Sequence, residues 1–478
     1  MHLSEGVQES FRSVVAAASD AHDLPSIVAA VVDRGTVVHS VCLGALADGE
    51  PPTIRSAYRI ASMTKSFTSA AVLQLRDRGQ LRLDDPVAAF VPELGDLRGP
   101  TADWAPVTVR HLLTMSAGMA TDDPWADRHL DATPAEMDRL FGTGATFAGP
   151  TGGPLEYSNY GYAMLGRVVE HVSGRTYDRY VVEELLVPLG LDSTRFAADE
   201  LPVGTRRAWP HVELEGAVRP DTAAPLGHGG FGSMGGLWSS VADVGRWVGY
   251  LTDAFPARDV ADHPVLRRAS RREMQQLHVA RPQPMVATDD TGAVRLVGLG
   301  YGMGLMVTWH AHLGTVVHHS GGLPGFGSNM RWLPARGVGV VACANLTYAP
   351  MWSLTDRLLD VIADDLPMPQ PTDGSLTAPL LEGLVRLLNS WDDDLAAEVF
   401  ADNVAADVPF SVRRRQAAEL IDRLGPLRVT AVDQESRTSL TARLAGPRGS
   451  AELDLQLSPT VPPKIQTYGV EPDGEPAD

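Results

Sequence analysis

The sequence predicts an α/β (α+β) protein whose main domain has one antiparallel sheet built from both of its ends. Apolar, β-branched runs occur early, at Ile27–Val32 and Val37–Leu43, and similar runs return only beyond residue 300. Between them the pattern is mostly helical, with loops rich in glycine and proline. The two ends of the domain are therefore expected to form the sheet, with a helical insertion packed against it.

The individual elements follow from the spacing of apolar residues. An amphipathic helix is predicted at Glu5–Ala21, because Val7, Phe11, Val14 and Val15 fall on one face. The same patterns predict helices at Ser66–Arg78, Thr108–Met115, Gly161–Val172, Val241–Leu251 and Met351–Ala363, and strands at Gly302–Trp309, Thr315–His319, Asn329–Leu333 and Val338–Ala344.

A second, smaller domain is predicted after a proline-rich segment. Three prolines within Pro367–Pro371 each fix their φ angle, so this segment should be stiff. We expect a main domain at 1–366, a linker at 367–374 and a C-terminal domain at 375–478. Two helices followed by four strands predict a small α+β unit with a curved antiparallel sheet, and residues 471–478 predict a disordered acidic tail.

Composition narrows the classes of function. The chain has 478 residues and a formal net charge of −19, which argues against nucleic-acid binding because phosphate contacts need a basic face. No apolar run is long enough for a transmembrane helix, and the first residues lack the basic start and apolar stretch of a secretory signal. Two cysteines, Cys42 and Cys343, suit buried thiols in a reducing compartment. A cytoplasmic location without membrane association is expected.

Two motifs that suggest cofactors are better explained without them. His310, His312, His318 and His319 match no familiar zinc-ligand spacing, so no metal is expected. Gly227–Gly232 matches a dinucleotide-binding pattern, but no strand precedes it and no βαβ unit follows, so a mobile active-site loop is preferred. The sequence therefore predicts no cofactor.

Lysine usage draws attention to one position. The chain has only two lysines, Lys65 and Lys464, and its other basic residues are arginines. A partly buried lysine can lose its proton and act as a base, which arginine cannot do. Lys65 follows Ser62 by three residues at the start of a predicted helix, which would bring Oγ and Nζ together as a nucleophile pair. An N-capping serine is the simpler alternative for Ser62, and chance retention is preferred for Lys464.

Two further motifs supply polar groups suited to the same chemistry. Tyr157 near a lysine would have its phenolate favoured and could shuttle a proton, and Asn159 offers a donor and an acceptor for a substrate amide. His319 and Ser320 precede Gly321 and Gly322 at the end of an apolar strand. The two glycines would let a substrate backbone lie against the strand edge. The backbone amides of Ser62 and Gly322 could form an oxyanion hole. A polar turn and a surface strand end are the non-functional alternatives.

Taken in order, these motifs resemble those of the serine β-lactamase and penicillin-binding protein family, which are Ser-x-x-Lys, Tyr-x-Asn and Lys-Thr-Gly or His-x-Gly. The resemblance is closest to the class C-like branch, which includes D-amino-acid peptidases and esterases. It spans about residues 5–365 and includes the phrases Thr108–Met119, Gly235–Asp243 and Tyr301–Gly304. It implies a β-lactamase/DD-peptidase-like fold followed by a lipocalin-like C-terminal domain.

The resemblance also implies roles for the residues that match. Ser62 would be the nucleophile, Lys65 and Tyr157 the base system, and Asn159 the group that binds the substrate amide. His319, Ser320 and Gly321 would line the strand side of the site. His319 stands where many β-lactamases have a lysine that holds a substrate carboxylate. Because a histidine is mostly neutral at pH 7, it would hold a carboxylate only weakly, which argues against antibiotic resistance as the main function.

Three functions are consistent with these motifs. The preferred one is a stand-alone thioesterase of the penicillin-binding-protein type. Such enzymes release a linear peptidyl thioester from a peptidyl carrier protein as a macrocycle, with a D-residue at the acylating end. The second is a D-stereospecific peptidase, amidase or esterase that uses water as the acceptor. A non-catalytic binding protein that keeps the fold is the third, and an intact Ser62, Lys65 and Tyr157 set argues against it.

Overall fold

The structure is a computed structural model of the full chain. It describes residues 1–478 except 96, 98, 100, 102, 225, 226, 282–284, 289–293, 311, 368–371 and 474–478, and only the backbone at 285–288 and 294–297. The chain divides into two compact units, Met1–Met368 and Pro369–Asp478. Half of the predicted linker, residues 368–371, lies outside the described residues, so its stiffness stays a prediction.

The main sheet of the first unit is antiparallel and joins both ends of that unit. Its strands are β1 (Ser26–Asp33), β2 (Thr36–Gly44), β7 (Val279–Ala280), β8 (Met285–Thr288), β9 (Val294–Tyr301), β10 (Met306–His310), β11 (Gly314–Leu323), β12 (Phe326–Leu333) and β13 (Val338–Ala344). The order is β2-β1-β13-β12-β11-β10-β9-β7, and β8 also pairs with β9. Strand β1 pairs with β13 from Ile27↔Ala344 to Asp33↔Val338, which confirms a sheet built from both termini.

Helices cover both faces of this sheet. They are α1 (Glu5–Ala21), α2 (Thr64–Asp77), α3 (Val109–Leu113), α4 (Asp123–Asp127), α5 (Pro134–Gly142), α6 (Asn159–Ser173), α7 (Tyr177–Val181), α8 (Gly232–Gly235), α9 (Val241–Thr252), α10 (Arg268–Met274) and α11 (Met351–Val361). Strand β1 is buried on both sides. Val28, Ala30 and Val32 join one apolar core, while Ile27 and its alternate neighbours join the core beneath α1 and α11.

Short strand pairs in the insertion have no counterpart in the sequence prediction. They are β3 (Ala57–Arg59) with β6 (Trp238–Ser240), and β4 (His211–Leu214) with β5 (Ala217–Pro220). The predicted strand Gly302–Trp309 is also partly wrong. A strand ends at Tyr301, the chain turns at Gly302–Leu305, and the next strand begins at Met306. Gly304 has φ +74 in this turn, a conformation that glycine adopts without strain.

The second unit is a small α+β structure with its own apolar core. It contains α12 (Ala378–Asn389), α13 (Asp393–Val399), α14 (Asp402–Asp407), α15 (Phe410–Leu424) and an antiparallel sheet of β14 (Arg428–Asp433), β15 (Ser439–Gly446), β16 (Gly449–Leu457) and β17 (Ile465–Pro472) in that order. Its described residues form fewer strands than the closed barrel of a lipocalin requires. Glu471 and Pro472 belong to β17 and not to a disordered tail, and residues 474–478 lie outside the described part.

Over the stretches that the structure describes, no helix is both long and apolar enough to cross a bilayer.

Candidate active site

Ser62 and Lys65 meet at the beginning of α2, as their spacing predicts. Ser62 lies in a single 3-10 turn, Ala61–Met63, that runs directly into this helix. Lys65 Nζ lies 2.9 Å from Ser62 Oγ. Ala61 has φ +48, which is unusual for a residue with a side chain and is a form of strain often found beside functional groups. The turn therefore presents the Ser62 hydroxyl to the Lys65 amine.

Lys65 is fully buried and makes three hydrogen bonds. Besides Ser62, its Nζ donates to Asn159 Oδ1 at 2.6 Å and to the Met234 carbonyl at 2.8 Å. Burial lowers the pKa of Lys65 to about 8, although nearby aspartates oppose the shift. A substantial fraction of the amine is therefore neutral slightly above neutral pH, as a general base requires.

Tyr157 contacts the same pair. Lys65 Nζ lies 5.0 Å from the centroid of the Tyr157 ring, and the phenol hydrogen-bonds to Ser62. Burial, together with the negative charge of Asp123, raises the pKa of Tyr157 well above its usual value. The expectation that the phenolate is favoured is therefore wrong, because desolvation outweighs the lysine. Tyr157 is instead a protonated phenol that can pass a proton between neighbours.

Asn159 is held at both ends of its side chain. It is the first residue of α6, and Ser158 caps this helix by accepting a hydrogen bond from the Gly161 backbone at 3.0 Å. The carbonyl end of Asn159 accepts from Lys65, while its Nδ2 donates to Asp123 Oδ1 at 2.7 Å. One N–H of the amide is thus already used, so a substrate amide would share this group with Asp123.

The strand side of the site is neutral. His319 on β11 is 2% exposed, with Nε2 3.1 Å from the Tyr301 hydroxyl and Nδ1 2.6 Å from the Ser320 carbonyl. Burial lowers the pKa of His319 to about 3, and the Lys65 charge contributes to the shift. The ring is therefore uncharged at neutral pH and offers no permanent cation to a carboxylate.

The free edge of β11 lies next to the Ser62 turn. Strand β10 pairs with β11 only as far as Met306↔His318, so it leaves the edge beyond His318 uncovered. A Cβ on Gly321 would stand 2.2 Å from the Ile60 carbonyl, so only glycine allows this close approach. A Cβ on Gly322 would likewise stand 2.7 Å from the Tyr348 ring. The oxyanion role of the Ser62 and Gly322 amides stays a prediction.

Ser320 is fixed by a chain of polar contacts behind the strand. Its Oγ accepts from Asn329 Nδ2 at 2.9 Å, and Asn329 Oδ1 in turn accepts from Thr355 at 2.7 Å. Its hydroxyl is thus held by Asn329 of β12, which is itself held by Thr355 of α11. The structure therefore brings together the side chains of Ser62, Lys65, Tyr157, Asn159 and His319, and it places Gly321 against the Ser62 turn. The Ser320 side chain, by contrast, contacts Asn329 and not these groups.

Three aspartates near Lys65 are missing from the sequence-based site. Asp122, Asp123 and Asp127 all act on the Lys65 charge. Asp127 is 3% exposed, accepts a hydrogen bond from the Tyr348 hydroxyl at 2.9 Å and has its pKa raised to about 7 by burial. Asp-Asp-Pro is a recognisable helix start, but nothing in the sequence connects it with a lysine so distant along the chain.

The glycine-rich segment Gly227–Gly232 leads into this site. It precedes α8, whose Met234 carbonyl accepts a hydrogen bond from Lys65. A Cβ on Gly230 would collide with Met137, and one on Gly229 would collide with the Ala132 carbonyl. The segment is therefore packed closely against its neighbours. Among the described residues, no group of three or more His, Cys, Asp or Glu side chains is placed to hold a metal ion.

The chain is similar to several known proteins. The family described as Beta-lactamase matches residues 11–363. Two curated relatives are D-alanyl-D-alanine-carboxypeptidase/endopeptidase AmpH of Escherichia coli (strain K12) and Penicillin-binding protein 4 of Amycolatopsis lactamdurans. AmpH is 27% identical over 66% of this chain and 77% of its own length. Penicillin-binding protein 4 is 29% identical over 66% of this chain and 80% of its own.

Solved structures show the same fold. The octameric penicillin-binding protein homologue from Pyrococcus abyssi has a TM-score of 0.62 and 21% identity, and the match covers 94% of this chain and 96% of that one. The penicillin-binding protein from Bacillus halodurans has a TM-score of 0.55 and 22% identity over 73% of this chain and 98% of its own.

The chain belongs to the Beta-lactamase family, whose members are serine hydrolases that include β-lactamases and DD-carboxypeptidases. The match covers the first unit almost completely, and Ser62, Lys65, Tyr157 and His319 all lie within it. One of the two relatives and both solved structures carry the names of penicillin-binding proteins or a homologue of them.

Proposed function

We propose that the protein is a serine acyltransferase that carries its acyl group as an ester on Ser62. The observation that carries this proposal is the buried Lys65 amine, 2.9 Å from Ser62 Oγ, with its pKa lowered to about 8. Neutral Lys65 accepts the hydroxyl proton while Oγ bonds to the acyl carbon. The bond to the leaving group then breaks, and the leaving group departs with a proton supplied through Lys65 and Tyr157.

The second step reverses these proton transfers. An incoming nucleophile bonds to the acyl carbon and gives its proton to the Lys65–Tyr157 pair. The bond from the acyl carbon to Ser62 Oγ breaks, and Ser62 recovers a proton, so the enzyme returns to its starting state. The amides of Ser62 and Gly322 stabilise the oxyanion in both steps under this proposal.

The acyl donor in this proposal is a linear peptidyl thioester on a peptidyl carrier protein. The peptide has a D-residue at its acylating end, and its own amine is the nucleophile that closes a macrocycle. A thioester has no free carboxylate beside the bond that breaks, which suits a strand side where His319 is neutral. The proposal includes a cytoplasmic location, because a reducing compartment suits the free thiols of Cys42 and Cys343.

Hydrolysis is the second candidate, and one observation favours it. The relative AmpH is named as a carboxypeptidase and endopeptidase, and water would replace the amine in the second step. The substrates would then be D-amino-acid peptides, amides or esters. Both candidates share the Ser62 ester and differ only in the acceptor.

Mass spectrometry of the product separates the two candidates. A linear peptide thioester with a D-residue at the acylating end is incubated with the enzyme and with Ser62→Ala. We expect a Ser62-dependent product that is lighter by one water than the free acid, which is the cyclised peptide. The free acid alone would contradict cyclisation and support the hydrolase. No adduct with a fluorophosphonate probe would contradict both and favour a non-catalytic protein.

A further inference from the structure

A line of hydrogen bonds connects an exposed carboxylate with the Ser62 hydroxyl. Asp123 Oδ1 accepts from Asn159 Nδ2 at 2.7 Å, and Asn159 Oδ1 accepts from Lys65 Nζ at 2.6 Å. Lys65 Nζ lies 2.9 Å from Ser62 Oγ. Asp123 is exposed, whereas Asn159 and Lys65 are completely buried. The line therefore begins at the surface and ends at the nucleophile.

The orientation of the Asn159 amide matters to this line. Its two ends have nearly the same shape, but one accepts hydrogen bonds and the other donates them. Lys65 Nζ only donates, so it needs the carbonyl end, and a reversed amide would place two donors against each other. The ionised Asp123 carboxylate only accepts, so it needs the NH₂ end. Asp123 therefore stabilises the one orientation in which Asn159 can hold the lysine.

The neighbouring carboxylate, that of Asp122, has a different structural role. Asp122 accepts from the backbone amides of Asn159 and Tyr160, both at 2.8 Å, and so holds the first turn of α6. Asp122 fixes where the Asn159 backbone lies, while Asp123 accepts a hydrogen bond from the end of the Asn159 amide that points away from Lys65. Loss of Asp123 would leave the helix start in place and free the side chain to turn.

We propose that Asp123 is a positioning residue for the acyl-serine reaction, because it orients Asn159 so that Asn159 holds the Lys65 amine against Ser62. This inference rests on the proposed function. Asp123 itself touches none of the reacting atoms, and it acts only through Asn159.

The charge of Asp123 has a separate effect that makes the role testable. The titratable groups that face Lys65 are the aspartates Asp122, Asp123 and Asp127, the phenols of Tyr157 and Tyr162, and the imidazole of His319. Asp123 is the first of the charges that raise the pKa of Lys65 against the effect of burial. Without that charge, the pKa of Lys65 falls further, and the neutral amine is available at lower pH.

Two variants separate orientation from charge. Asp123→Asn keeps an oxygen that can accept from Asn159 Nδ2 but removes the charge. We expect its plateau rate to stay within about threefold of the original, with the midpoint of the pH profile moved to lower pH. Asp123→Ala removes both contributions. We expect the same direction of midpoint shift and a plateau lower by roughly tenfold to a hundredfold.

The measurement is the rate at which a fluorophosphonate probe labels Ser62 across a range of pH. Glu156→Gln is the matched control, since it removes a carboxylate next to Tyr157 that accepts a hydrogen bond from Thr121, whereas the Asn159 amide donates to Asp123. It should keep the original rate and midpoint. Circular dichroism of each variant checks that it is folded.

The possible outcomes distinguish failure of the Asp123 positioning role from failure of the proposed acyl-serine function. If Asp123→Ala labels with the plateau rate and pH midpoint of the unaltered protein, the positioning role is overturned. The proposed function would still stand in that case, provided that the unaltered protein is labelled at Ser62. A lower plateau for Asp123→Ala with no midpoint shift in either variant would also overturn it, because the loss would then be merely structural. Failure of the unaltered protein to label at Ser62 would instead overturn the proposed function.

Discussion

The two sides of the candidate active site differ in charge. The helical side, formed by α2, α4 and the start of α6, carries Lys65 and three aspartates that act on it. The strand side, formed by His319–Gly322 of β11, has a neutral imidazole and backbone groups. Under the proposed mechanism, proton transfer depends on the helical side, whereas the strand side recognises a donor by shape and by neutral hydrogen bonds.

The largest expected effect comes from removing the base on the helical side. Lys65→Arg keeps the positive charge but replaces an amine that can lose its proton with a group that cannot. We expect turnover to fall by roughly a thousandfold or more, because general-base assistance to Ser62 is lost. Steady-state kinetics with any ester or thioester that the enzyme accepts would measure this fall.

Ser62→Ala is the reference variant for that experiment, because it removes the proposed nucleophile itself. Lys65→Arg should lie close to Ser62→Ala in rate, because residues that act as one unit show similar losses when removed singly. Near-normal turnover in Lys65→Arg would show that the reaction needs only the charge at this position.

The neutrality of the strand side can be reversed by His319→Lys. A lysine there would give a substrate carboxylate a cationic partner, and a charge-assisted hydrogen bond is worth about 1.5–3 kcal/mol. We therefore expect kcat/KM for a donor with a free carboxylate beside the scissile bond to rise about tenfold relative to its amide counterpart. The measured quantity is the ratio of kcat/KM for the two donors.

His319→Gln is the control for that substitution, because it removes the imidazole and adds no charge. Its ratio should equal that of the unaltered protein. An unchanged ratio in His319→Lys would mean that the strand side does not face the donor carboxylate.

The remaining expected effect concerns folding stability, and not reaction rate, on the helical side. Burial raises the pKa of Asp127 to about 7, above the value of an unfolded aspartate, so the stability that this group contributes is lost as pH rises from about 4 to 7. Asp127→Asn cannot ionise and keeps an oxygen for the Tyr348 hydroxyl. Relative to the original protein, we expect its free energy of unfolding to be higher at about pH 8 than at about pH 4 by on the order of 4 kcal/mol.

Urea unfolding of both proteins at the two pH values would measure this difference. Tyr348→Phe serves as the partner control. It removes the hydrogen bond that lowers the pKa of Asp127, so it should be destabilised most above neutral pH. A pH-independent difference between Asp127→Asn and the original protein would contradict a raised pKa.

Sequence reasoning predicts the main sheet because its central strands are recognisable from their residue composition. The strands that pair the two ends, such as β1 and β13, are long, apolar and β-branched. The pairs β3–β6 and β4–β5 have strands of three or four residues, too short to show an alternating pattern. Their pairing depends on the surrounding insertion and leaves no trace in local sequence.

In the candidate site too, sequence reasoning predicts the contacts that are local in the chain and misses those that depend on the fold. Ser62 and Lys65 are three residues apart on one helix, so their contact follows from local geometry. Asp123 and Asp127 reach Lys65 only through the folded chain, and no local pattern predicts that approach. The predicted protonation state of Tyr157 is wrong for a related reason. The sequence motifs indicate that a lysine is near, but they do not show how deeply the phenol is buried.

The central claim is that the neutral amine of Lys65 takes the proton of Ser62 as an ester forms. The most direct measurement is intact-protein mass spectrometry of the acyl adduct from a peptide thioester, with peptide mapping, at a series of pH values. We predict an adduct on Ser62 whose rate of formation rises with a midpoint near the Lys65 pKa of about 8. An adduct on another residue, or a rate that does not change across this pH range, would contradict the claim.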